Sequence, residues 1–470
     1  MTNWNSTRTL ILGAARQGIA LARWLSRHGS KVTLSDSRSL EQLASARESL
    51  ADTDVAWAAG GHPLELLDAT DVLCLSGGVP LTLPIVQEAV KRGIPLSNDT
   101  QIFLEVVPCK TIGITGSAGK TTTTTLVGKM AVASYKLQVE DAFRPSTSTR
   151  VFVGGNIGDP LINYVDDMTA DDLAILEISS FQLEQMTISP NIAAILNITP
   201  NHLDRHGTME AYTNAKARIL EFQTEKDTAI LNHDDKGSWN LRNKVKGKLM
   251  TFSLHDLDEG FNGSYLHEDG LLSLRDGYAY LPLMLREKIK LPGLHNVANV
   301  LAAFTIGHAA GFKLDAMLEV VEEFRGVAHR LEFVRERNGV RWFNDSIATA
   351  PERAMAGIQS FDDPIVLMLG GRDKDLPWDE IAKLIHKRVD HVVLFGEAAE
   401  LIQKAISAVG GERSVDLRRA RHLKEAVALA AEAATAGDVV LFSPGGTSYD
   451  EFKDFAERGE AFRKWVQELS

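Results

Sequence analysis

The stretch Thr111-Ile-Gly-Ile-Thr-Gly-Ser-Ala-Gly-Lys-Thr-Thr122 decides the fold of this 470-residue chain, because an apolar strand, a glycine-rich loop and a helical run follow one another in it. Backbone N–H groups of such a loop converge on phosphate oxygens, and the helix that follows adds its positive end. The spacing places Lys120 at the outer phosphates of a nucleoside triphosphate and the Thr121 hydroxyl at a magnesium ion. The residues predicted to contact the nucleotide here are Gly116, Ser117, Ala118, Gly119, Lys120, Thr121 and Thr122.

The loop departs from the strict pattern GxxxxGK[ST], because Ile114 stands at the first glycine position. Gly113, Gly116 and Gly119 supply the backbone freedom in a shifted arrangement. The competing interpretation is a glycine-rich turn with an incidental lysine. The order of strand, loop and helix favours nucleotide binding over that turn, but it does not indicate what the chain does with the nucleotide.

Short apolar runs alternate with helical patterns on both sides of the loop, which predicts parallel sheets covered by crossover helices. The predicted strands are 9–13, 31–35, 71–76, 111–115, 173–179, 192–199, 228–232, 341–345, 365–370, 391–395 and 438–443. Residues 260–289 differ, since their alternating pattern with glycine and tyrosine suggests a small antiparallel addition. We therefore predict an α/β protein of three domains, at 1–105, 106–326 and 327–470.

The composition is that of an ordinary globular protein, with 44% hydrophobic and 24% charged residues and a formal net charge of −12. So negative a surface repels a phosphate backbone, which argues against nucleic-acid binding. The two cysteines form neither a CxxC pair nor a metal cluster, so neither zinc nor a disulfide framework is indicated. Without a signal peptide or a membrane-spanning apolar stretch, we expect a cytoplasmic protein, and without sustained heptads we expect a monomer.

Polar side chains follow several predicted strands, at the edge where ligands bind in open α/β sheets. Glu177 ends an apolar run and is a candidate oxygen ligand for magnesium, the alternative being a carboxylate paired with a neighbouring lysine. Ser179 adds a polar group at the same edge, and His202, after the next run, is a candidate ligand for a metal or a phosphate. Lys216 belongs to a helical stretch, and its pattern alone indicates a solvated surface lysine.

A weaker signal lies near the N-terminus, where Gly13 and Gly18 flank the turn between a predicted strand and a predicted helix, and Asp36 ends the next strand. The arrangement loosely resembles a dinucleotide fingerprint, but the middle glycine of GxGxxG is missing. A tight turn without a ligand and a nucleotide diphosphate on the helix N-terminus both remain open.

Taken in chain order, the motifs resemble those of the Mur ligase family over essentially the whole chain. The motifs are TGSAGKTT (115–122), GGNIG (154–158), EISSFQLE (177–184), NITPNHLDRH (197–206), AKARI (215–219), GLHNVANVLAA (293–303), HRLE (329–332), NDSIAT (344–349), LGGRDK (369–374) and SPGGTSYDEFKDFAERG (443–459). They occur in family order, which argues against coincidence.

The resemblance implies an N-terminal Rossmann-like domain for a UDP-linked substrate, a central P-loop ATPase domain and a C-terminal Rossmann-like domain. It also implies ATP-dependent ligation in peptidoglycan precursor synthesis, with ATP and Mg²⁺ as cofactors. The alanine carboxylate of UDP-N-acetylmuramoyl-L-alanine would attack the γ-phosphate of ATP, and the amine of D-glutamate would then attack the resulting acyl phosphate. Cations must offset the repulsion between the two anions that meet in the first step.

The resemblance also implies roles for individual residues. Lys120, His202 and Lys216 would be catalytic, with Lys216 carbamylated near a second metal ion. The magnesium ligands would be Thr121, Glu177 and His202, and the further ATP contacts Asn296, Asn299, Arg330 and Asp345. The substrate contacts would be Gly13, Gly18 and Asp36 for the uridine diphosphate, Asn156 and Ser179 near the muramoyl group, and Thr349, Lys374, Ser448 and Phe455 for glutamate.

Two departures from the family pattern matter. The family's DSKAT reads Asp345-Ser-Ile-Ala-Thr here, so Ile347 replaces a lysine near the incoming amino acid. The loss of that cation leaves D-glutamate, L-glutamate or another amino acid open as the substrate. In addition, 133–151 is longer than the family pattern, and its Pro and Ser/Thr content predicts a surface loop.

A non-catalytic nucleotide-binding subunit is the alternative from outside the enzymes. Such a protein could keep Lys120 but lose Glu177, His202 or Lys216, and all three are present. An oxidoreductase is disfavoured by the missing middle glycine of the N-terminal turn and by the phosphate-binding loop.

Overall fold

The computed structural model describes residues 4–141, 149–201, 203–291, 293–374, 376–410 and 414–469. These residues form three sheets, of five, nine and six strands, covered by helices, so the predicted α/β class is confirmed. The chain divides into two compact units, Met1–Phe324 and Arg325–Ser470, whereas the domain borders near 105 and 326 stay a prediction. Within the described part of the chain, no helix combines the length and the apolar character that crossing a membrane requires.

The first sheet is parallel throughout and carries the N-terminal glycine turn. Its elements are β1 Arg8–Leu12, α1 Arg16–Arg27, β2 Lys31–Asp36, α2 Ala44–Ser49, β3 Val55–Ala59, β4 Val72–Leu75, α3 Pro84–Lys91, β5 Leu96–Ser97 and α4 Asp99–Val106. The strand order is β3-β2-β1-β4-β5. Because the order reverses between β1 and β4, the turn after β1 lies at the switch point, where α/β sheets bind ligands.

The second sheet contains the phosphate-binding loop. Its elements are β6 Lys110–Thr115, α5 Lys120–Asp141, β7 Val151–Gly155, β8 Leu173–Glu177, α6 Ser180–Leu183, β9 Ile192–Ile195, α7 Leu203–His206, α8 Met209–Glu221, β10 Thr228–Asn232, α9 Lys236–Trp239, β11 Lys248–Ser253, β12 Gly263–Leu266, β13 Leu271–Asp276, β14 Ala279–Leu285, α10 Leu294–Ala310 and α11 Leu314–Glu323. The order is β14-β13-β12-β11-β10-β9-β6-β8-β7, parallel from β7 to β12. The strands β13 and β14 continue it antiparallel, as predicted for 260–289.

Side-chain hydrogen bonds fasten the first sheet to the second within one unit. Trp24 Nε1 donates to Asp166 Oδ1 at 3.0 Å, and Asn98 Nδ2 donates to the Gln182 carbonyl at 2.8 Å. Gln182 Nε2 in turn donates to Thr100 Oγ1 at 2.7 Å. Because the last two bonds are buried, breaking one partner would leave a polar group without water, so the arrangement of the two sheets is well defined.

The third sheet makes up the second unit. Its elements are β15 Glu332–Arg337, β16 Val340–Asn344, α12 Pro351–Ile358, β17 Ile365–Gly370, α13 Asp379–Arg388, β18 Val389–Phe395, α14 Ala399–Val409, β19 Asp416–Arg419, α15 Leu423–Ala433, β20 Val439–Gly445 and α16 Phe455–Glu468. The order is β15-β16-β20-β17-β18-β19, with only β15 antiparallel among these described strands. Alternate residues of its strands enter two cores, one on each face, around Phe343 and around Phe442.

The helix after the phosphate-binding loop is longer than the sequence predicted. α5 continues to Asp141, so the surface loop predicted at 133–151 is wrong over its first part, and 142–148 lie outside the described residues. Tertiary packing accounts for the difference. Ser134 is fully buried and accepts a hydrogen bond from the backbone N–H of Lys313 at 2.8 Å, which ties this part of α5 to the start of α11.

The assigned core of the second sheet can be tested with two aromatic residues. Phe304 of α10 is fully buried, whereas Tyr278, before β14, is fully exposed. We expect Phe304→Ala to lower the free energy of unfolding by about 3–5 kcal/mol, because it leaves a cavity. Tyr278→Ala, the control, should change it by less than about 0.5 kcal/mol. Thermal unfolding midpoints measure both effects, and equal midpoints would contradict this core.

Candidate active site

The phosphate-binding loop, 115–120, links β6 to α5 and closes on itself. Lys120 Nζ donates to the carbonyls of Gly116 at 2.8 Å and of Ser117 at 3.3 Å, so the ammonium group already lies over the loop. Gly119 has φ +82°, and a Cβ there would lie 2.2 Å from Asn299 Oδ1. Only glycine therefore fits at this position, and the loop leads directly into the positive N-terminal end of α5.

Residues from the next strand connections hold the loop in shape. Ser117 Oγ donates to the Thr199 carbonyl and lies 3.0 Å from the Tyr212 hydroxyl. The backbone N–H of Ala118 donates to Asn197 Oδ1 at 2.8 Å. That amide is therefore engaged within the protein, although Ala118 is among the residues predicted to contact the nucleotide.

Glu177 brings two parts of the candidate site together at the end of β8. Its carboxylate is 2% exposed and accepts hydrogen bonds from Thr121 Oγ1 and from Asn156 Nδ2, each at 2.8 Å. These two partners are a hydroxyl and an amide, not the lysine of the alternative interpretation. A carboxylate beside a hydroxyl at the mouth of a phosphate-binding loop is a donor set that suits Mg²⁺. The predicted ligands Thr121 and Glu177 thus fit one magnesium ion.

The second predicted metal position is less complete. His202 lies outside the described residues, so its predicted role as ligand and catalytic group stays a prediction. Among the residues that the structure describes, no three His, Cys, Asp or Glu side chains gather closely enough to hold a metal by themselves. A magnesium ion at this edge would therefore also use hydroxyl, phosphate or water oxygens.

Lys216 is buried, so the surface position inferred from its helical pattern is wrong. It is 1% exposed on α8, and its Nζ donates to the Gly116 carbonyl at 3.0 Å and to Thr115 Oγ1 at 3.4 Å. Burial, followed by the charge of Lys120, lowers the pKa of Lys216 to about 6. The side chain is therefore mainly a neutral amine above pH 7, directly behind the phosphate-binding loop.

Two of the other predicted residues, Asn296 and Asn299, lie near the phosphate-binding loop, whereas Ser179 has a structural role. Asn299 lies against the loop at Gly119, and its Nδ2 donates to Asn296 Oδ1 at 3.2 Å, so α10 brings both amides to the nucleotide end. Ser179 instead caps α6, in a reciprocal pair with Gln182. Its hydroxyl therefore stabilises the helix start beside Glu177.

At the N-terminal turn, Asp36 faces inward. Its carboxylate accepts from the backbone N–H of Ala14 at 2.7 Å and from the Arg38 guanidinium at 2.8 and 2.9 Å. The Arg38 hydrogen bond holds the pKa of Asp36 well below its usual range. The turn is tight, since a Cβ on Gly18 would lie 1.9 Å from the Gly13 carbonyl oxygen. Arg38, which the sequence pattern did not indicate, is exposed, and its guanidinium forms an ion pair with Asp36 at this turn.

In the second unit, Arg330 projects from a strained corner. Its neighbours His329 and Leu331 have φ of 63° and 41°, a region that side-chain-bearing residues rarely adopt. The backbone N–H of His329 donates to Glu332 Oε2 at 2.9 Å, and its ring nitrogen lies 3.1 Å from Asn344 Nδ2. Strain held by such contacts is typical of functional sites, which suits the predicted ATP contact.

Asp345 follows β16 and is almost completely buried. Its Oδ2 accepts from Ser443 Oγ at 2.7 Å, and its Oδ1 accepts from the backbone N–H of Leu331 at 3.2 Å. Burial raises the pKa of Asp345 to about 6 despite the charges of Arg330 and Arg353. The carboxylate is thus costly to ionise in the protein alone, and a bound cation would favour its charged form.

Of the four residues predicted for the glutamate pocket, Thr349 and Lys374 are in contact, whereas Ser448 and Phe455 follow β20 in the same unit. Lys374 Nζ donates to Thr349 Oγ1 at 3.3 Å, and burial lowers the pKa of Lys374. Ser448 is 2% exposed, and the Phe455 carbonyl accepts a hydrogen bond from Ser346 Oγ at 2.7 Å. These contacts join the loops after β16, β17 and β20 at the carboxyl edge of the sheet.

Arg458 on α16 is a residue that the sequence analysis missed. It is fully buried, and it donates to Ser346 Oγ, to the Ser346 carbonyl and to the Gly446 carbonyl at 2.9 to 3.1 Å. Burial lowers its pKa to about 10, so it stays charged at neutral pH. In sequence it is one of several charged residues on an amphipathic helix, and nothing local marks it as buried.

Three family models match the chain in sequence. They are the Mur ligase MurD-like N-terminal domain at residues 7–98, the Mur ligase middle domain at 114–307 and the Mur ligase glutamate ligase domain at 329–446. Each match coincides with one of the three sheets. The predicted three-domain organisation is therefore confirmed at the level of the family.

Curated relatives match at full length. The chain is 40% identical to the UDP-N-acetylmuramoylalanine–D-glutamate ligase of Symbiobacterium thermophilum and 38% identical to that of Koribacter versatilis, in both cases over 98% of each chain. Among solved structures, the UDP-N-acetylmuramate-alanine ligase of Thermotoga maritima matches with a TM-score of 0.52 and 20% identity, over 98% of this chain and 99% of that one. The last similarity concerns the fold alone.

The buried carboxyl group of Asp345 predicts a pH-dependent stability. Because its folded pKa is about 6 and its ordinary value 3.8, the folded chain keeps this proton between these values while the unfolded chain loses it. Its contribution to stability therefore falls as pH rises through that window. As the pH rises from 5 to 7.5, we expect the free energy of unfolding of Asp345→Asn to increase by about 1–2 kcal/mol relative to that of the wild type. A constant difference between their thermal midpoints would contradict the shift.

Proposed function

The chain belongs to the Mur ligase family of ATP-dependent ligases, and we propose that it joins the alanine carboxylate of UDP-N-acetylmuramoyl-L-alanine to the amine of D-glutamate in peptidoglycan precursor synthesis. The names of the full-length relatives support this choice of substrates. The observation that carries the ATP-dependent chemistry is the Thr121–Glu177 hydrogen bond of 2.8 Å beside the Lys120 loop. It combines a phosphate cradle with oxygen ligands for a divalent cation.

The reaction would proceed in two steps that conserve atoms and charge. An oxygen of the alanine carboxylate attacks the γ-phosphorus of ATP, the bond to the bridging oxygen breaks, and ADP leaves. The nitrogen of the amino acid then attacks the carbonyl carbon of the acyl phosphate. The carbon–oxygen bond to phosphate breaks, and the nitrogen loses a proton, so an amide and inorganic phosphate result. Lys120 and the N-terminus of α5 would stabilise charge on the transferred phosphate.

Magnesium would bind at the Glu177 end of the loop. Thr121 and Glu177 would hold the ion, Asn156 would orient the Glu177 carboxylate, and His202 would serve a second ion. When bound, Mg²⁺ supplies positive charge that reduces the repulsion between the carboxylate and the phosphate groups. The fit of the Thr121–Glu177 pair to an oxygen-liganded cation supports this part of the proposal.

Lys216 would act as a carbamate rather than as an ammonium group. A neutral amine can add to carbon dioxide with loss of a proton, whereas an ammonium ion cannot. The burial of Lys216 and its low pKa, about 6, support this modification, because they leave the amine neutral at physiological pH. The modified side chain would be an anion behind the loop, able to assist a second cation.

The remaining predicted residues would bind the ends of the substrates. The turn from Gly13 to Gly18, with Asp36 and Arg38, would hold the uridine diphosphate, and its inward-facing carboxylate and exposed guanidinium support that role. Arg330 and Asp345 would contact ATP, and Thr349, Lys374, Ser448 and Phe455 would contact glutamate. ATP and UDP-linked precursors are cytoplasmic metabolites, which supports a cytoplasmic enzyme. The lack of sustained heptads in the sequence supports a monomer.

Ile347 favours a second candidate substrate. Because it offers no charge where DSKAT carries a lysine, L-glutamate or another amino acid could replace D-glutamate in the second step. The fold, ATP site and acyl phosphate would be the same in that case.

The substrate assignment is tested by phosphate release. We expect release with ATP, Mg²⁺ and UDP-N-acetylmuramoyl-L-alanine to depend on D-glutamate and not on L-glutamate. Lys120→Ala should reduce the rate by at least about 10²-fold, because charge on the phosphates goes uncompensated, while exposed Lys129→Ala on the same helix serves as control. Release with L-glutamate alone would select the second candidate, and none with either amino acid would refute the proposal.

The proposed carbamate of Lys216 is tested with the variant Lys216→Ala. Lys216→Ala should lower activity by about 10²-fold or more, because an anion near the second cation is lost. Millimolar formate or acetate should restore part of the rate by occupying the vacated space, but should not change Lys226→Ala, an exposed lysine control. A fully active Lys216→Ala enzyme would refute the role, and mass spectrometry under added carbon dioxide reports the modification directly.

A further inference from the structure

Arg353 differs from most cations of its unit, because its guanidinium has no hydrogen bond or ion pair with the residues that the structure describes. It is exposed in the first turn of α12, which begins at Pro351 after Ala350 as N-cap. A surface guanidinium without a partner is common in proteins. The groups around Arg353 therefore have to show whether it belongs to a binding site.

Arg353 shares a helix face with the contact to Asp345, and its charge also acts on Lys374, the hydrogen-bond partner of Thr349. Residues four apart share one face of a helix, and Gly357, four residues after Arg353, lies against Asp345, where an added Cβ would be 3.1 Å from Oδ2. Thr349, four residues before Arg353, accepts the hydrogen bond of Lys374. The charge of Arg353 acts on both sides: after burial it is the next cause that lowers the pKa of Lys374, and it opposes the raised pKa of Asp345.

Two other cations make this region positive. Lys374 donates to the hydroxyl of Thr349, and buried Arg458 donates to hydroxyl and carbonyl oxygens. Neutral oxygens satisfy hydrogen bonds but do not cancel charge. The carboxylates of Asp345 and of Asp450, whose charge acts on Arg458, offset only part of this positive charge. The three positive side chains near one sheet edge therefore still favour an anionic ligand, and a dicarboxylic amino acid brings two carboxylates.

Ile347 lies in the chain between Asp345 and Thr349, where DSKAT would carry a lysine. An aliphatic side chain cannot pair with a carboxylate, whereas a guanidinium can bind one through two parallel hydrogen bonds. We propose that Arg353 binds a carboxylate of the incoming glutamate and supplies the positive charge that Ile347 lacks, as a specificity-determining residue. The inference rests on the proposed function and extends it to the amino-acid end.

The test uses the full-length enzyme and steady-state phosphate release with varied D-glutamate and, separately, varied ATP. Arg353→Ala should raise the KM for glutamate about 10-fold or more, because a charge-assisted hydrogen bond is lost. The KM for ATP should rise much less, because Arg353 acts on the predicted ATP contact Asp345 only through its charge. Arg353→Lys, which keeps the positive charge, should raise the KM for glutamate less than Arg353→Ala does. Adding Ile347→Lys to Arg353→Ala should recover part of the affinity, because it returns a cation to the same pocket. Arg421→Ala, an exposed arginine before α15, is the control.

The outcomes separate the inference from the proposed function. A wild-type KM for glutamate in Arg353→Ala would overturn the inference alone, as would an equal rise in the KM for ATP and for glutamate. Absence of glutamate-dependent release from the wild type would overturn the proposed function and the inference with it. Matching thermal midpoints of the wild type and Arg353→Ala show that a change in KM does not come from unfolding.

Discussion

The hydrogen bonds of the Glu177 carboxylate are the interaction on which the nucleotide end of this molecule depends. The carboxylate is buried at the end of β8, and its two donors come from the first turn of α5 and from the glycine turn after β7. A buried carboxylate without partners would cost several kcal/mol, so these bonds constrain the turn, the helix start and the strand together. That arrangement fixes the position of the phosphate-binding loop. Hydrogen bonds from Ser117 to the Thr199 carbonyl and from Ala118 to Asn197 hold the loop as well.

Each of the two units, considered by itself, contains buried ionisable groups. Lys216 behind the loop is a buried amine that favours its neutral form, and Asp345 at the edge of the third sheet is a buried carboxyl group with a raised pKa. Arg458 stays charged, and its guanidinium donates to hydroxyl and carbonyl oxygens. Each group lowers the free energy of unfolding of the isolated protein. A ligand, metal or modification of opposite charge would reduce that cost. Binding sites differ from ordinary cores in this respect.

Several features of the site followed from short-range sequence patterns. The parallel sheets follow from brief apolar runs separated by helical ones, and Glu177 could be placed at a sheet edge because the run before it ends there. Other features did not follow. α5 continues beyond residue 133, where Ser134 accepts a hydrogen bond from Lys313, which is far away in sequence. Arg38 was missed because its guanidinium also donates to the Ala14 carbonyl, 24 residues earlier in the chain.

The sequence by itself determined the fold class, the phosphate-binding loop and the order of the motifs, because each depends on residues within a few positions of one another. Only the tertiary structure decided which ionisable groups are buried and which charges face each other. Lys216 shows the reason: its helix looks solvated, yet its amine meets the Gly116 carbonyl, a hundred residues earlier in the chain. Burial and pairing of this kind set pKa values, and they arise from packing between distant segments that no local pattern records.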